Sequence, residues 1–80
     1  MTARSEVLDA ARSLAARAAD GTFTPDDVVR ELRRRGSTYA ESTIRTHVIS
    51  RMCIDANDNH GVTYDDLERA GDGRYRLRRA

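Results

Sequence analysis

The chain has 80 residues, 14 of them basic and 13 acidic, for a formal net charge of +1. That length suits one small domain and excludes a two-domain dehydrogenase or a barrel enzyme. The near-neutral total excludes a histone-like polycation, although it leaves room for a local basic surface. No apolar run approaches the roughly 20 residues of a membrane span, and no hydrophobic signal core opens the chain. With one cysteine, Cys53, no internal disulfide forms, so we expect a reducing cytoplasm.

The first predicted element is an amphipathic helix over residues 5–19. Ser5 is its expected N-terminal cap, and Gly21 lies where a left-handed residue would stop it. Small and aliphatic residues recur along it at three- and four-residue spacing, at Val7, Leu8, Ala11, Leu14, Ala15 and Ala18.

A second helix is predicted over residues 25–35. Thr24 supplies a capping hydroxyl, Pro25 suits the first helical position, and two aspartates follow in the first turn. Three arginines and then Gly36 mark its end, where cations favour the negative pole of the helix dipole. Contact with a nucleic-acid backbone is the alternative role for these arginines. Phe23, just before the cap, either packs onto this helix or enters a short strand.

A third helix is predicted over residues 40–53, after a short turn at residues 36–39. Ile44, Val48 and Met52 share one apolar stripe because they are spaced by four residues. A helix, a short glycine-bearing turn and another helix together outline a helix-turn-helix.

The last segment, residues 62–78, is predicted to form a β-hairpin. Turn-forming residues fill positions 55–61, and a second turn centres on Asp72 between two glycines. The residues after that turn alternate strictly, with Tyr75 and Leu77 on one face and arginines on the other. The chain is therefore predicted to be mainly α-helical with a small β-hairpin.

Three helices followed by a hairpin resemble the winged helix-turn-helix family of DNA-binding domains. Residues 41–48 (ESTIRTHV) are similar to the start of a family recognition helix, and residues 66–77 (DLERAGDGRYRL) to a family wing. A further similarity is to small bacterial winged-helix domains, uncharacterised or appended to restriction and modification proteins. The resemblance implies a three-helix winged fold, double-stranded DNA as partner and a role in transcription regulation. Winged helices also serve as protein-docking modules, so a protein–protein interaction adaptor is the alternative.

One side of the third helix carries hydroxyl groups and no acids. Small hydroxyl side chains allow close approach to DNA and bond to phosphates or base edges. An ordinary solvated face is the alternative, and the helix-turn-helix context favours DNA contact. The residues concerned are Ser42, Thr43, Thr46 and Ser50, with His47 at the edge.

Arg45 lies between Ile44 and Ile49 on the helical wheel, close to the buried side. Either Ile49 is partly exposed and Arg45 reaches DNA, or Arg45 snorkels along the edge of the core. The resemblance favours DNA contact. For Arg51, an ion pair and a phosphate contact both remain open. The predicted base-edge contacts are Thr43, Arg45 and Thr46.

The hairpin is the second candidate DNA contact, because Arg74, Arg76 and Arg78 share one strand face and Arg69 lies across the turn. Asp72 at the tip favours phosphate contact over insertion into a minor groove. Alternatively, the charges protect an edge strand from aggregation. The predicted backbone contacts are Ser37, Tyr39, Arg69, Arg74 and Arg76.

Metal binding and catalysis are not expected. His47, Cys53 and His60 are the only soft ligands, and they lack the paired short spacings of a zinc site. The sequence also has no glycine-rich phosphate loop and no nucleophile motif. We therefore expect no metal, no cofactor and no enzymatic activity.

The sequence thus predicts a cytoplasmic, nucleoid-associated domain that binds duplex DNA in a sequence- or modification-dependent manner. A modified-base sensor accessory to a nuclease would keep this fold with a different ligand. We expect no membrane contact. A monomer, a weak homodimer and a complex with a larger protein partner remain open, because the chain has no long extra helix for dimerisation.

Overall fold

Helices and a small antiparallel sheet make up the part of the chain that the computed structural model describes, which is residues 2–53, 64 and 66–78. The arrangement is mostly helical and winged-helix-like, in agreement with the predicted fold class. The elements in chain order are α1 (Ala3–Arg17), β1 (Thr22–Phe23), α2 (Pro25–Arg34), α3 (Glu41–Thr46), a π-helical segment (His47–Arg51), β2 (Leu67–Gly71) and β3 (Arg74–Leu77).

Helix α1 begins two residues earlier than predicted, because Thr2 and not Ser5 is its cap. The Ser5 N–H donates to Thr2 Oγ1 at 3.2 Å, and the Thr2 N–H donates to Ser5 Oγ at 3.1 Å. Ser5 therefore belongs to a capping box as its third helical residue. The helix ends at Arg17 instead of residue 19, and Gly21 follows with a positive φ of 73°.

Helix α2 begins and ends as predicted, to within one residue. The Asp27 N–H donates to Thr24 Oγ1 at 3.1 Å, and the Thr24 N–H donates to Asp27 Oδ2 at 3.0 Å. At the other end, Gly36 has a φ of 82° and the Ser37 N–H donates to the Leu32 carbonyl at 2.9 Å. This pattern is a Schellman motif, which requires a left-handed residue where glycine stands.

The third helix is not the single α-helix predicted over residues 40–53. Its first part is α3, and the chain then widens into the π-helical segment, where the Met52 N–H donates to the His47 carbonyl at 2.8 Å. Ile44, Val48 and Met52 are nevertheless all fully buried. The apolar stripe was therefore predicted well, whereas the change of hydrogen-bond register was not.

The sheet has the strand order β1–β3–β2, and both pairings are antiparallel. Phe23 pairs with Tyr75, which confirms the strand alternative for Phe23. The hairpin lies inside the predicted range, although residues 62, 63 and 65 of that range are outside the described residues. Tyr75 is buried and Leu77 is half-buried, while Arg74, Arg76 and Arg78 are exposed, as the alternation predicts.

The hydrophobic core lies between α1, α2, the third helix and the inner face of the sheet. Cys53 is buried in it and forms no disulfide, in the manner of a small apolar residue. His60 lies outside the described residues. The other core residues are Val7, Ala10, Ala11, Phe23, Val28, Val29, Leu32, Ile44, Val48, Met52, Leu67 and Tyr75.

Candidate nucleic-acid interface

The hydroxyl side chains of the third helix lie on the side opposite its buried stripe. Ser42 and Thr46 are exposed, and Thr43 and Ser50 are half-buried. Ile49, on the same outer side, is 37% exposed. Ile49 is therefore partly exposed, as one of the two alternatives for this helix expected, and the outer side presents hydroxyls with one aliphatic group.

A groove of about 690 Å³ runs along this surface, between the third helix and the start of α1. We call it the α3 groove. The third helix contributes Ser42, Thr43, Thr46, His47 and Arg51, and the other walls include Thr2, Arg4 and Tyr64. None of the described residues that line it is a carboxylate, although the Asp66 carboxylate pairs with Arg4 at its edge.

Arg4 is held at one wall of the α3 groove by two contacts. Its Nε and Nη2 donate to the two carboxylate oxygens of Asp66, each at 2.9 Å. Its guanidinium lies over the Tyr64 ring, 3.9 Å from the ring centroid. Asp66 is 62 residues away in sequence. No local pattern could have revealed this pair, and the sequence analysis missed Arg4 as a site residue.

Arg51 lies at the C-terminal end of the π-helical segment and lines the α3 groove with an exposed side chain. Within the described ranges 2–53, 64 and 66–78 it forms no ion pair. The sequence left open whether Arg51 pairs with an acid or meets a phosphate. The structure presents it as a cation without a carboxylate neighbour among those residues.

Arg45, predicted to contact DNA or to lie along the edge of the core, is held by two carboxylates. Its guanidinium forms ion pairs with Asp26 at the start of α2 and with Glu41, the latter at 2.8 Å. The side chain is 37% exposed and does not line the α3 groove. Arg45 therefore ties the third helix to α2, and a base-edge contact would require it to leave two carboxylates.

The two turn residues predicted to contact a DNA backbone lie apart from the α3 groove. Ser37 lines a shallow depression beside Glu6 and Asp9, whose carboxylates repel phosphate. Tyr39 is half-buried and packs against the core. The structure does not bring these residues together with the hydroxyl surface.

The hairpin arginines lie in different surroundings. Arg76 donates to Glu68 on the neighbouring strand at 2.8 Å, so its charge is matched. Arg74 donates to Thr22 Oγ1 at 2.8 Å, and the same hydroxyl donates to Asp20, so that carboxylate lies close to the Arg74 guanidinium. Arg69 and Arg78 are exposed.

The arginine run at the end of α2 has a buried carboxylate beside it. Glu31, of which 5% is exposed, accepts from Arg34 at 2.6 Å, from Arg35 at 2.7 Å and from Arg17 at 2.9 Å. Hydrogen bonds from these guanidiniums, chiefly those of Arg34 and Arg35, lower the pKa of Glu31 from 4.5 to about 2. Arg33, by contrast, is exposed. Arg34 and Arg35 therefore stabilise the fold through their contacts with Glu31.

Two further properties bear on the class of site. Among the described residues, no group of three histidine, cysteine or acidic side chains is placed to hold a metal ion. A helix with the length and apolar character needed to cross a bilayer is likewise missing from that part of the chain.

Comparison with known protein families places the chain in one of them. A family model matches residues 4–77, from Arg4 in the α3 groove to the end of β3. The chain belongs to DUF7669, a family of domains of unknown function. No curated protein and no solved structure matches this DUF7669 domain at a significant level. Its function must therefore be inferred from its own surfaces.

Proposed function

We propose that this DUF7669 domain is a non-enzymatic duplex-DNA-binding module of the cytoplasm, associated with the nucleoid and acting in transcription regulation. The third helix presents its hydroxyl side to the major groove, and the hairpin meets the phosphate backbone. The observation that carries the proposal is the α3 groove, in which hydroxyls, His47 and two arginines form a surface with no carboxylate among its described lining residues.

The chemistry of this surface suits DNA. Exposed Ser42 and Thr46 permit close approach of the helix and offer both donors and acceptors to base edges. The exposed aliphatic group of Ile49 suits the methyl group of thymine. Arg51 and Arg4 border the surface and suit the flanking phosphates, which supply most of the affinity of such complexes.

Arg4 is the more ordered of the two groove arginines. Its bidentate pair with Asp66 and its position over Tyr64 hold the guanidinium before any ligand arrives. A preformed cation loses less conformational entropy on binding than a free side chain does. Arg74 is restrained in a similar way by Thr22 and supports a second phosphate contact from the hairpin.

The experiment is a set of fluorescence anisotropy titrations with short duplexes, which are first selected from a random pool with the full chain. Arg51→Ala should weaken binding to every selected duplex and reduce the log–log salt slope by about one. Thr46→Glu should abolish binding, because it places a carboxylate on the hydroxyl surface. Comparison of the affinities for methylated and unmethylated versions of each duplex tests whether the domain recognises a modified base or the base sequence alone.

Arg12→Ala is the matched control, since Arg12 is an exposed helical arginine outside the α3 groove. It should leave affinity and salt slope close to those of the wild type. If Arg51→Ala and Arg12→Ala weaken binding equally, the third helix is not the interface. If no duplex binds at low salt, DNA binding itself is refuted.

A further inference from the structure

A second groove, of about 490 Å³, lies at the opposite end of α1 from the α3 groove. We call it the arginine groove. It is bounded by the C-terminal end of α1, by β1 and by α2, and shares no lining residue with the α3 groove. Four arginines from these elements and from β3 surround it: Arg17, Arg30, Arg34 and Arg74.

These arginines are exposed at their heads and fixed in direction. The side chains of Arg17, Arg30 and Arg34 are 59, 72 and 66% exposed. Arg17 and Arg34 are held by Glu31, and Arg30 by Asp27 at 2.6 Å. A guanidinium has five N–H donors, so each retains outward donors after these contacts. The four guanidiniums outnumber the carboxylates of Asp27, of Glu31 and of Asp20 beside Arg74, so the groove keeps an excess of positive charge.

The floor of the arginine groove is apolar. Phe23 is almost fully buried beneath it, and Leu14 and Ala18 are half-buried along its side. An aliphatic side chain of a ligand would remove the exposed parts of Leu14 and Ala18 from water, which contributes favourable binding free energy.

We propose that the arginine groove binds an acidic segment of a partner protein, with spaced carboxylates on the guanidinium groups and an aliphatic side chain on the floor. A single small anion fits less well, because Glu31 already occupies the point where Arg17 and Arg34 converge. A duplex fits less well too. Asp27 and Glu31 would repel a continuous row of phosphates, and the apolar floor has no group that binds a phosphodiester. A peptide supplies separated charges and apolar groups together.

This site shares Arg74 with the proposed hairpin contact to phosphate but has no lining residue in common with the α3 groove, so the two proposals can fail separately. The test is selection of random dodecapeptides, displayed on phage, against the immobilised full chain, followed by anisotropy titrations of the selected peptides in fluorescent form. Several Asp or Glu residues around an aliphatic residue should be enriched. Arg30→Ser/Arg34→Ser should weaken their binding about tenfold, since two exposed charge contacts are lost.

Arg12→Ser/Arg33→Ser is the matched control, because it removes the same charge from α1 and α2 outside the groove. It should retain wild-type affinity, and a circular dichroism spectrum checks that both double variants are folded. Amide chemical-shift changes on titration of the wild type should fall on β1 and α2 and spare α3. Absence of acidic enrichment or equal weakening in both variants would each overturn the proposal.

Discussion

Replacing Glu31 with glutamine tests how a buried carboxylate supports the fold. In the wild type this side chain forms ion pairs with Arg17, Arg34 and Arg35, and Arg35 also donates to Ser13 on α1 at 2.8 Å. Glutamine has nearly the same shape but no charge. Its amide NH2 group is a hydrogen-bond donor and would face the three guanidinium groups, which are also donors. The variant therefore removes the electrostatic contribution while leaving the packing of α2 largely intact.

The magnitude follows from the pKa of Glu31, which is lowered from 4.5 to about 2 by its arginine partners. A difference of this size corresponds to about 3 kcal/mol of folding free energy at neutral pH. The partner guanidiniums are 35 to 66% exposed, and solvent screens them. We therefore expect Glu31→Gln to lower the free energy of unfolding by about 2 kcal/mol at pH 7.

The pH dependence has a definite sign. Because the folded-state pKa of Glu31 is below its unfolded value, the stabilisation is complete above roughly pH 5 and is lost as the pH falls through 4.5 towards 2. Roughly two fifths of it remains at about pH 3. Asp20 and Asp27 also have lowered pKa values, through hydrogen bonds from Thr22 and Thr24, but both carboxyls are present in wild type and variant. Their effect cancels in the difference.

The assay is urea unfolding followed by far-ultraviolet circular dichroism at neutral and acidic pH. Glu41→Gln is the control, since Glu41 pairs with Arg45 while half exposed, and it should change stability by less than about 1 kcal/mol. Equal stability of Glu31→Gln and wild type at pH 7 would refute the reasoning. So would a difference between them that fails to shrink on acidification.

Two predictions concern the ends of α2. Gly36→Ala places a side chain at a φ of 82° and should cost about 1 kcal/mol, measured as a lower Tm by scanning calorimetry. Gly71→Ala is the control and should leave the Tm nearly unchanged. At this position φ is not in the left-handed region, and no atom lies within 4 Å of the added methyl group. Thr24→Ala removes the capping hydroxyl and should cost about 1 kcal/mol in urea unfolding, whereas Thr38→Ala at an exposed turn position should cost little. Equal effects within either pair would contradict the assignment of these groups.

Features governed by neighbouring residues were predictable from the sequence. The capping residue Thr24, the proline after it and Gly36 act within one turn of the backbone they organise, so α2 was located almost to the residue. Strict alternation after Gly73 similarly identified β3 and the burial of Tyr75. Ser5 was wrongly predicted as the cap of α1 because it is the N3 member of the capping box that Thr2 begins.

Features governed by distant partners were not predictable. Arg4 and Asp66 are 62 residues apart, and Arg45 and Asp26 are 19 apart, so no spacing rule connects them. The first pair holds Arg4 at the α3 groove, and the second holds Arg45 away from that groove. The pairs of Glu31 with Arg34 and Arg35 follow ordinary helical spacing, whereas its pair with Arg17 on another helix does not.

The strand order has a consequence for how the domain assembles. β3 comes last among the described strands, yet it lies between β1 and β2. Thr22 is synthesised long before its pairing partner Arg76, so β1 has no described neighbour in the sheet until that late segment arrives. Closure of such a distant contact is slow in comparison with helix formation. Pairing of the hairpin with β1 is thus the step that completes the core. Removal of the hairpin would expose Phe23 and the helices that pack against the sheet.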